Sequence, residues 1–287
     1  MGKLTLNAAA GMVVALGALN AAAADTRKET RLEIAPGGAV NIINNCGSVT
    51  IHGGPGREVV VFSITHSVKV EVDQSATQDK RRVEIVTHAV PDQKPAADEA
   101  RVDYDITVPS GISVTVSTAT APITADGLSG DVTLSSDTGQ ITVRNVAKVH
   151  VHVRGVTAPV KLSSINNGHV EITSSGGAVQ LVDVSGPKVY VGTTSGNIAY
   201  RGDCSGGGDY SFTTHSGAID VTLPETASFD VSARSVSGTV QNDFPLQEKF
   251  HTSFVPKSGS SFAGTSNSGS SSVELQSFSG RIRVKKQ

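Results

Sequence analysis

Apolar residues occur in this chain as short alternating runs, and the runs recur about every twenty residues. The octet "TTSGNIAY" (193–200) has relatives in "SDTGQITV" (136–143), "THSGAIDV" (214–221) and "SFSGRIRV" (277–284). With the small residue of each octet as position zero, the series is Ala121, Gly139, Ala158, Gly177, Gly196, Gly217, Gly238 and Gly280, spaced 18, 19, 19, 19, 21, 21 and 42 apart. The last step is twice 21, and Gly259 lies at its midpoint. Two positions after zero stand Ile123, Ile141, Val160, Val179, Ile198, Ile219, Val240 and Ile282. Seven before zero stand Val114, Val132, Val151, Val170, Val189, Tyr210, Val231 and Val273. Matching columns run four after zero and five before it, with polar or small residues between.

Alternation with period two is the mark of a half-buried strand. Each unit therefore holds two strands joined at a small-residue corner. One unit cannot bury its own apolar face, but stacked units bury their columns together. The pattern predicts an all-β protein, a β-solenoid built as a single-stranded β-helix-like stack of rungs of about 20 residues. Gly at the corner is expected to supply positive φ. A weaker column seven after zero (Leu128, Val146, Ile165, Val184) suggests a short third side.

With Gly47 as zero, Val40, Ile42, Val49 and Ile51 fall in the same columns, so residues near 38–54 form a first rung. An N-terminal strand excursion over 57–108 follows, with strands in "REVVVFS", "SVKVEV", "RRVEIV" and "RVDYDITV" and a helix over 74–82. The low-complexity stretch 243–271 reads as a loop or a degenerate rung, and the last strands, 272–285, dock back on the stack.

Residues 1–24 read as a signal peptide: Lys3, an apolar run, and Ala22-x-Ala24 before Asp25. Residues 25–37 are a linker and 38–287 the solenoid domain. Export, to the periplasm or the cell surface, with no transmembrane segment after cleavage, follows from that reading. The two cysteines, Cys46 and Cys204, would then sit in an oxidising compartment. They fall in different columns several rungs apart, which disfavours a bond but leaves it open.

Composition narrows the chemistry. With 24 Lys+Arg against 26 Asp+Glu the formal charge is −2, which offers no electrostatic case for nucleic acid. There is no Trp and there are four Tyr, so the aromatic platforms of sugar-cleaving grooves are not evident. No nucleophile elbow or phosphate-binding Gly motif occurs. His150, His152, His169 and Glu171 gather on the outer face of neighbouring rungs and form a candidate patch for zinc or another divalent metal. A solvated polar face is the favoured reading, so no metal, cofactor or catalytic residue is expected. Asp103 and Asp105 share a strand face and read as solvated. The tripeptide Arg201-Gly202-Asp203 lies in a corner loop, and the adjoining "CSGGGDYSF" is too short for a calcium repeat.

The repeated "SGxI/V" corners, the opening "VNIINNCGSVTIHG" and the late "FDVSARSVSGTVQNDFP" resemble the bacterial adhesin-like family known as the toastrack domain. The resemblance spans roughly residues 38–287. It implies an exported solenoid at the bacterial envelope and supplies no catalytic residues. The expected function is a non-catalytic module for surface display, adhesion or assembly. Its partner would be an envelope protein or surface glycan, with end-to-end self-association also open. Envelope-stress sensing through a membrane partner is the alternative, and a carbohydrate-active enzyme comes third.

Overall fold

A computed structural model describes residues 25–248 and 257–287. The leader expected at 1–24 lies outside these residues. The chain opens with β1 (Thr26–Glu33), β2 (Ala39–Ile43), β3 (Cys46–Gly54), β4 (Glu58–Thr65), β5 (Val70–Ala76), β6 (Arg82–Ala89) and β7 (Arg101–Pro109). Two-strand coils follow. They are β8 (Ser113–Thr118) with β9 (Ile123–Asp126), β10 (Val132–Ser136) with β11 (Ile141–Ala147), and β12 (His150–Gly155) with β13 (Val160–Asn166). Next come β14 (His169–Ser174) with β15 (Val179–Val184), β16 (Lys188–Thr193) with β17 (Ile198–Arg201), and β18 (Gly208–Thr214) with β19 (Ile219–Leu223). Then come β20 (Phe229–Ser235) with β21 (Val240–Asn242), the lone β22 (Ser261–Ser266), and β23 (Ser271–Ser277) with β24 (Ile282–Lys286).

The strands form two sheets of twelve. Sheet A runs β1-β4-β7-β3-β9-β11-β13-β15-β17-β19-β24-β21, and sheet B runs β22-β20-β23-β18-β16-β14-β12-β10-β8-β2-β6-β5. Successive coils pair in parallel at equivalent positions. Val132, Val151, Val170, Val189 and Tyr210 are consecutive cross-strand partners, and all are buried. Ile141, Val160, Val179, Ile198 and Ile219 do the same in sheet A. Burying one such side chain contributes about 1.5–3 kcal/mol, and the columns repeat that gain at every rung. The third column is also present: Leu128, Val146, Ile165 and Val184 are all buried.

Gly47 has the expected positive φ, at 107°, but the later corner glycines act differently. Gly139, Gly177, Gly196, Gly217, Gly238 and Gly280 do not have positive φ. A Cβ on any of them would instead meet a backbone carbonyl oxygen of the adjoining rung, as for Gly177 against Ala158 (1.9 Å) and Gly217 against Gly196 (2.0 Å). The corner needs room for close stacking. Positive φ falls six residues later, at Gly127, Asn145, Ser164 and Asp183, where the chain kinks to bring in the third column. Three residues before five of these six glycines, a Ser or Thr hydroxyl accepts the glycine N–H: Ser174 for Gly177, Thr193 for Gly196, Thr214 for Gly217, Ser235 for Gly238 and Ser277 for Gly280, whereas Ser136, before Gly139, is buried without a hydrogen-bond partner among the described residues.

Both ends of the stack are threaded out of sequence order. The excursion leaves as β4 and β5, then returns as a full rung: β6 lies parallel to β2, and β7 parallel to β3. The first rung is thus enclosed between β6/β7 and β8/β9. At the other end β23/β24 inserts between β18/β19 and β20/β21. The 42-residue step is therefore not two successive rungs. Gly259 marks a turn with φ 82°, leading into β22, which runs antiparallel to β20 and lies at the edge of sheet B. Residues 77–80 form a turn after β5, so the expected helix over 74–82 is absent; β5 pairs antiparallel with β6 through Ala76 instead.

Candidate functional site

Alternation places the intervening residues of each strand outside, so any chemistry must be built from flat ladders of side chains. On sheet B the predicted patch does assemble in register. His150 pairs with His169, and His152 with Glu171. The His150 and His169 rings meet edge to face at 5.1 Å between centroids, and His152 Nδ1 lies 3.6 Å from a Glu171 carboxylate oxygen. The backbone N–H of His150 also donates to Asp131. The ring pair and the ion pair sit two residues apart along the strands, roughly 7 Å, and do not close on a common point. Among the described residues no group of three or more His, Cys, Asp or Glu is arranged to hold a metal ion.

A charged, hydrogen-bonded cluster lies elsewhere, on the outer face of sheet A near its β1 edge. β7 pairs parallel with β3 and antiparallel with β4, which brings Asp103 beside Ser48 and near His66, just past β4. His66 Nε2 is 2.8 Å from Asp103 Oδ2, and its Nδ1 is 2.8 Å from Asp25 Oδ1. Ser48 Oγ donates to Asp103 Oδ1 at 2.8 Å, and Arg101 donates to Asp103 Oδ2 at 2.8 Å. Asp103 is therefore half-buried, at 18% side-chain exposure, rather than solvated as expected. Burial pushes its carboxyl up, but the donors His66, Ser48 and Arg101 outweigh that and hold it below the usual aspartate range.

Ser, His and Asp meet here, yet not as a nucleophilic triad. A triad needs the serine hydroxyl on one histidine nitrogen and the carboxylate on the other. Ser48 bonds the carboxylate, and both ring nitrogens face carboxylates, so no basic nitrogen faces a nucleophile. The arrangement fastens Asp25, ahead of β1, to the body of sheet A. Neighbouring Asp105 faces His52 at 3.8 Å.

Both cysteines are free thiols. Cys204 is buried, and burial together with the nearby Asp203 pushes its thiol up to about 12, the profile of an inert core residue. Cys46 is half-buried beside the Thr120 hydroxyl. In the Arg201–Asp203 tripeptide, the Asp203 carboxylate accepts the Ser205 N–H at 2.8 Å and shapes its own loop. A hollow of about 470 Å³ beside that loop is lined by Asn167, Ser185, Gly186, Pro187 and Gly206–Gly208, with no ionisable side chain among them.

The chain's sequence matches a known family. The signature of the Toastrack DUF4097 family covers residues 48–285. The chain belongs to the toastrack family. Two solved structures are similar to this toastrack chain. One, from Clostridium sporogenes ATCC 15579, is provisionally described as a cell adhesion protein; it is 14% identical, with a TM-score of 0.33, over 91% of this chain and 100% of that one. The other, from Bacteroides fragilis NCTC 9343, is provisionally described as an adhesin; it is 11% identical, with a TM-score of 0.45, over 91% of this chain and 97% of that one. No curated protein is a significant match to the chain.

Proposed function

We propose that this toastrack chain is a non-catalytic, exported module of the bacterial cell envelope that works by display and adhesion. The observation that carries the reading is the division of labour in the rung. Inward positions are spent on one continuous apolar interior, mostly aliphatic with Tyr200, Tyr210, Phe212 and Phe229 among its largest side chains, and outward positions form flat polar ladders in which His152 pairs with Glu171 and His66 with Asp103. Such a body supplies rigidity and area; the hollow beside Gly206–Gly208 has no ionisable lining, and in the one beside Phe244 the acid Glu225 and the base Lys286 pair with each other at 3.0 Å. The apolar leader with Ala22-x-Ala24 supports export.

Two experiments test this. Fractionation of the producing bacterium should recover the chain, cut before Asp25, from the periplasm or surface; a full-length cytoplasmic protein would refute export. Purified protein should also bind envelope preparations. Loss of binding after protease treatment would identify a protein partner, and loss after periodate treatment a glycan. Absence of binding, or turnover of an envelope glycan, would overturn the reading.

A further inference from the structure

The outermost strand of sheet A at the N-terminal end is β1, which among the described residues pairs with β4 on one side and with no strand on the other. An open edge of this kind is a template for another strand. Its residues Thr26–Glu33 run in register against Thr65–Glu58. One step beyond, the Ile34 N–H donates to the Arg57 carbonyl at 3.3 Å. Antiparallel ladders alternate between pairs that exchange both bonds and pairs that exchange none. The even-numbered residues of β1 therefore bond β4, and Arg27, Glu29, Arg31 and Glu33 aim their N–H and C=O groups at the open side.

Those same four residues place their side chains on the outer face, and they alternate in sign. Arg31 holds Glu29 at 2.7 Å, and Lys80 holds Glu33. Arg27 has no ion-pair partner among the described residues. Alternating charge on an edge can be a guard against pairing, but here the order of the charges is self-complementary.

We propose that β1 is a docking edge for a second copy of this chain, paired antiparallel about a two-fold axis at Thr30. In that register Arg27 lies opposite Glu33 of the second copy, and Glu29 opposite its Arg31. Lys28 lies opposite Leu32 on the inner face. Every outer-face pair then joins opposite charges, and the four outward-aimed residues become the bond-exchanging pairs. Sliding by two residues one way sets Arg27 against Arg31 and Glu29 against Glu29. Sliding the other way sets Glu29 against Glu33 and Arg31 against Arg31. Opposed like charges are destabilising, so one register is selected. The pairing is isologous and closes on itself, joining two sheets A head to head instead of building a filament. A single strand edge covers less area than a stable interface usually needs, so the dimer is concentration-dependent.

The test is sedimentation of the purified exported chain over a range of concentrations. The wild type should move from monomer toward dimer mass as concentration rises, and less so at high salt. A variant with Arg27→Glu and Arg31→Glu has a uniformly acidic edge, and one with Glu29→Arg and Glu33→Arg a uniformly basic edge. Each alone should associate at least about tenfold more weakly, with unchanged circular dichroism because the altered side chains are exposed. An equimolar mixture of the two should regain dimer mass. A wild type that stays monomeric to its solubility limit overturns the proposal. So does wild-type-like association by the separate variants, or failure of the folded variants to dimerise when mixed.

Discussion

Asp103 shows what a residue's neighbours can change without altering the sequence around it. Beside Asp105 in an alternating strand it has the appearance of a solvated carboxylate. It is instead the acceptor for Ser48, His66 and Arg101, which arrive from β3, from the segment after β4 and from β7 itself. His66 lies 37 positions away and reaches Asp103 through the antiparallel β4–β7 pairing. Short-range periodicity carries no signal of that pairing. Because the folded carboxyl titrates below its ordinary value, its contribution to stability is complete above the unfolded pKa of about 3.9 and disappears as pH falls through the lower folded value. Asp103→Asn should therefore lower stability at neutral pH in urea unfolding, and the gap to wild type should close in acid. A gap that is constant or widens on acidification would contradict the network described here.

At the scale of the element, the rung was legible because the same columns recur at each turn: Val132, Val151, Val170 and Val189 are one position repeated. The reason for the corner glycine was not legible. A glycine code does not distinguish a backbone that needs positive φ from one that a carbonyl approaches, and the corners from Gly139 onward are of the second kind. The Ser or Thr three residues earlier was visible in every quoted octet, yet the role of Thr193, Thr214 and Ser277 as acceptor for the glycine N–H appears only once the corner is built. Gly217→Ala would put a Cβ 2.0 Å from the Gly196 carbonyl oxygen. Overpacking costs about 1–3 kcal/mol, and a clash with backbone belongs at the upper end. Gly206→Ala, with no atom within 4 Å of the added methyl, is the control and should leave thermal unfolding unchanged. Equal effects of the two substitutions would mean that the corners are not stacked this closely.

At the scale of the molecule, sequence order and spatial order part company at both ends. β2/β3 is enclosed by β6/β7, and β23/β24 is enclosed by β18/β19 and β20/β21. Periodicity reads columns but not which neighbour a rung chooses, so the docking of 272–285 back on the stack was legible, but its place between β18/β19 and β20/β21 was not. The consequence is physical: an inserted rung has partners on both sides, and the terminal coils are tied to distant chain. Antiparallel β5 and β22 then occupy the ends of sheet B, while β1 and the three-residue β21 end sheet A. The central claim is that coils separated by one period lie directly over one another. Parallel neighbours stand about 4.8 Å apart, within the Cα separation of about 4.4–6.8 Å that a disulfide tolerates. In a chain with Cys46 replaced by serine, His150→Cys with His169→Cys should therefore oxidise to a linked pair, while His150→Cys with Glu171→Cys should not. Linkage of the second pair in preference to the first, or of neither, would contradict the stacked register on which the account rests.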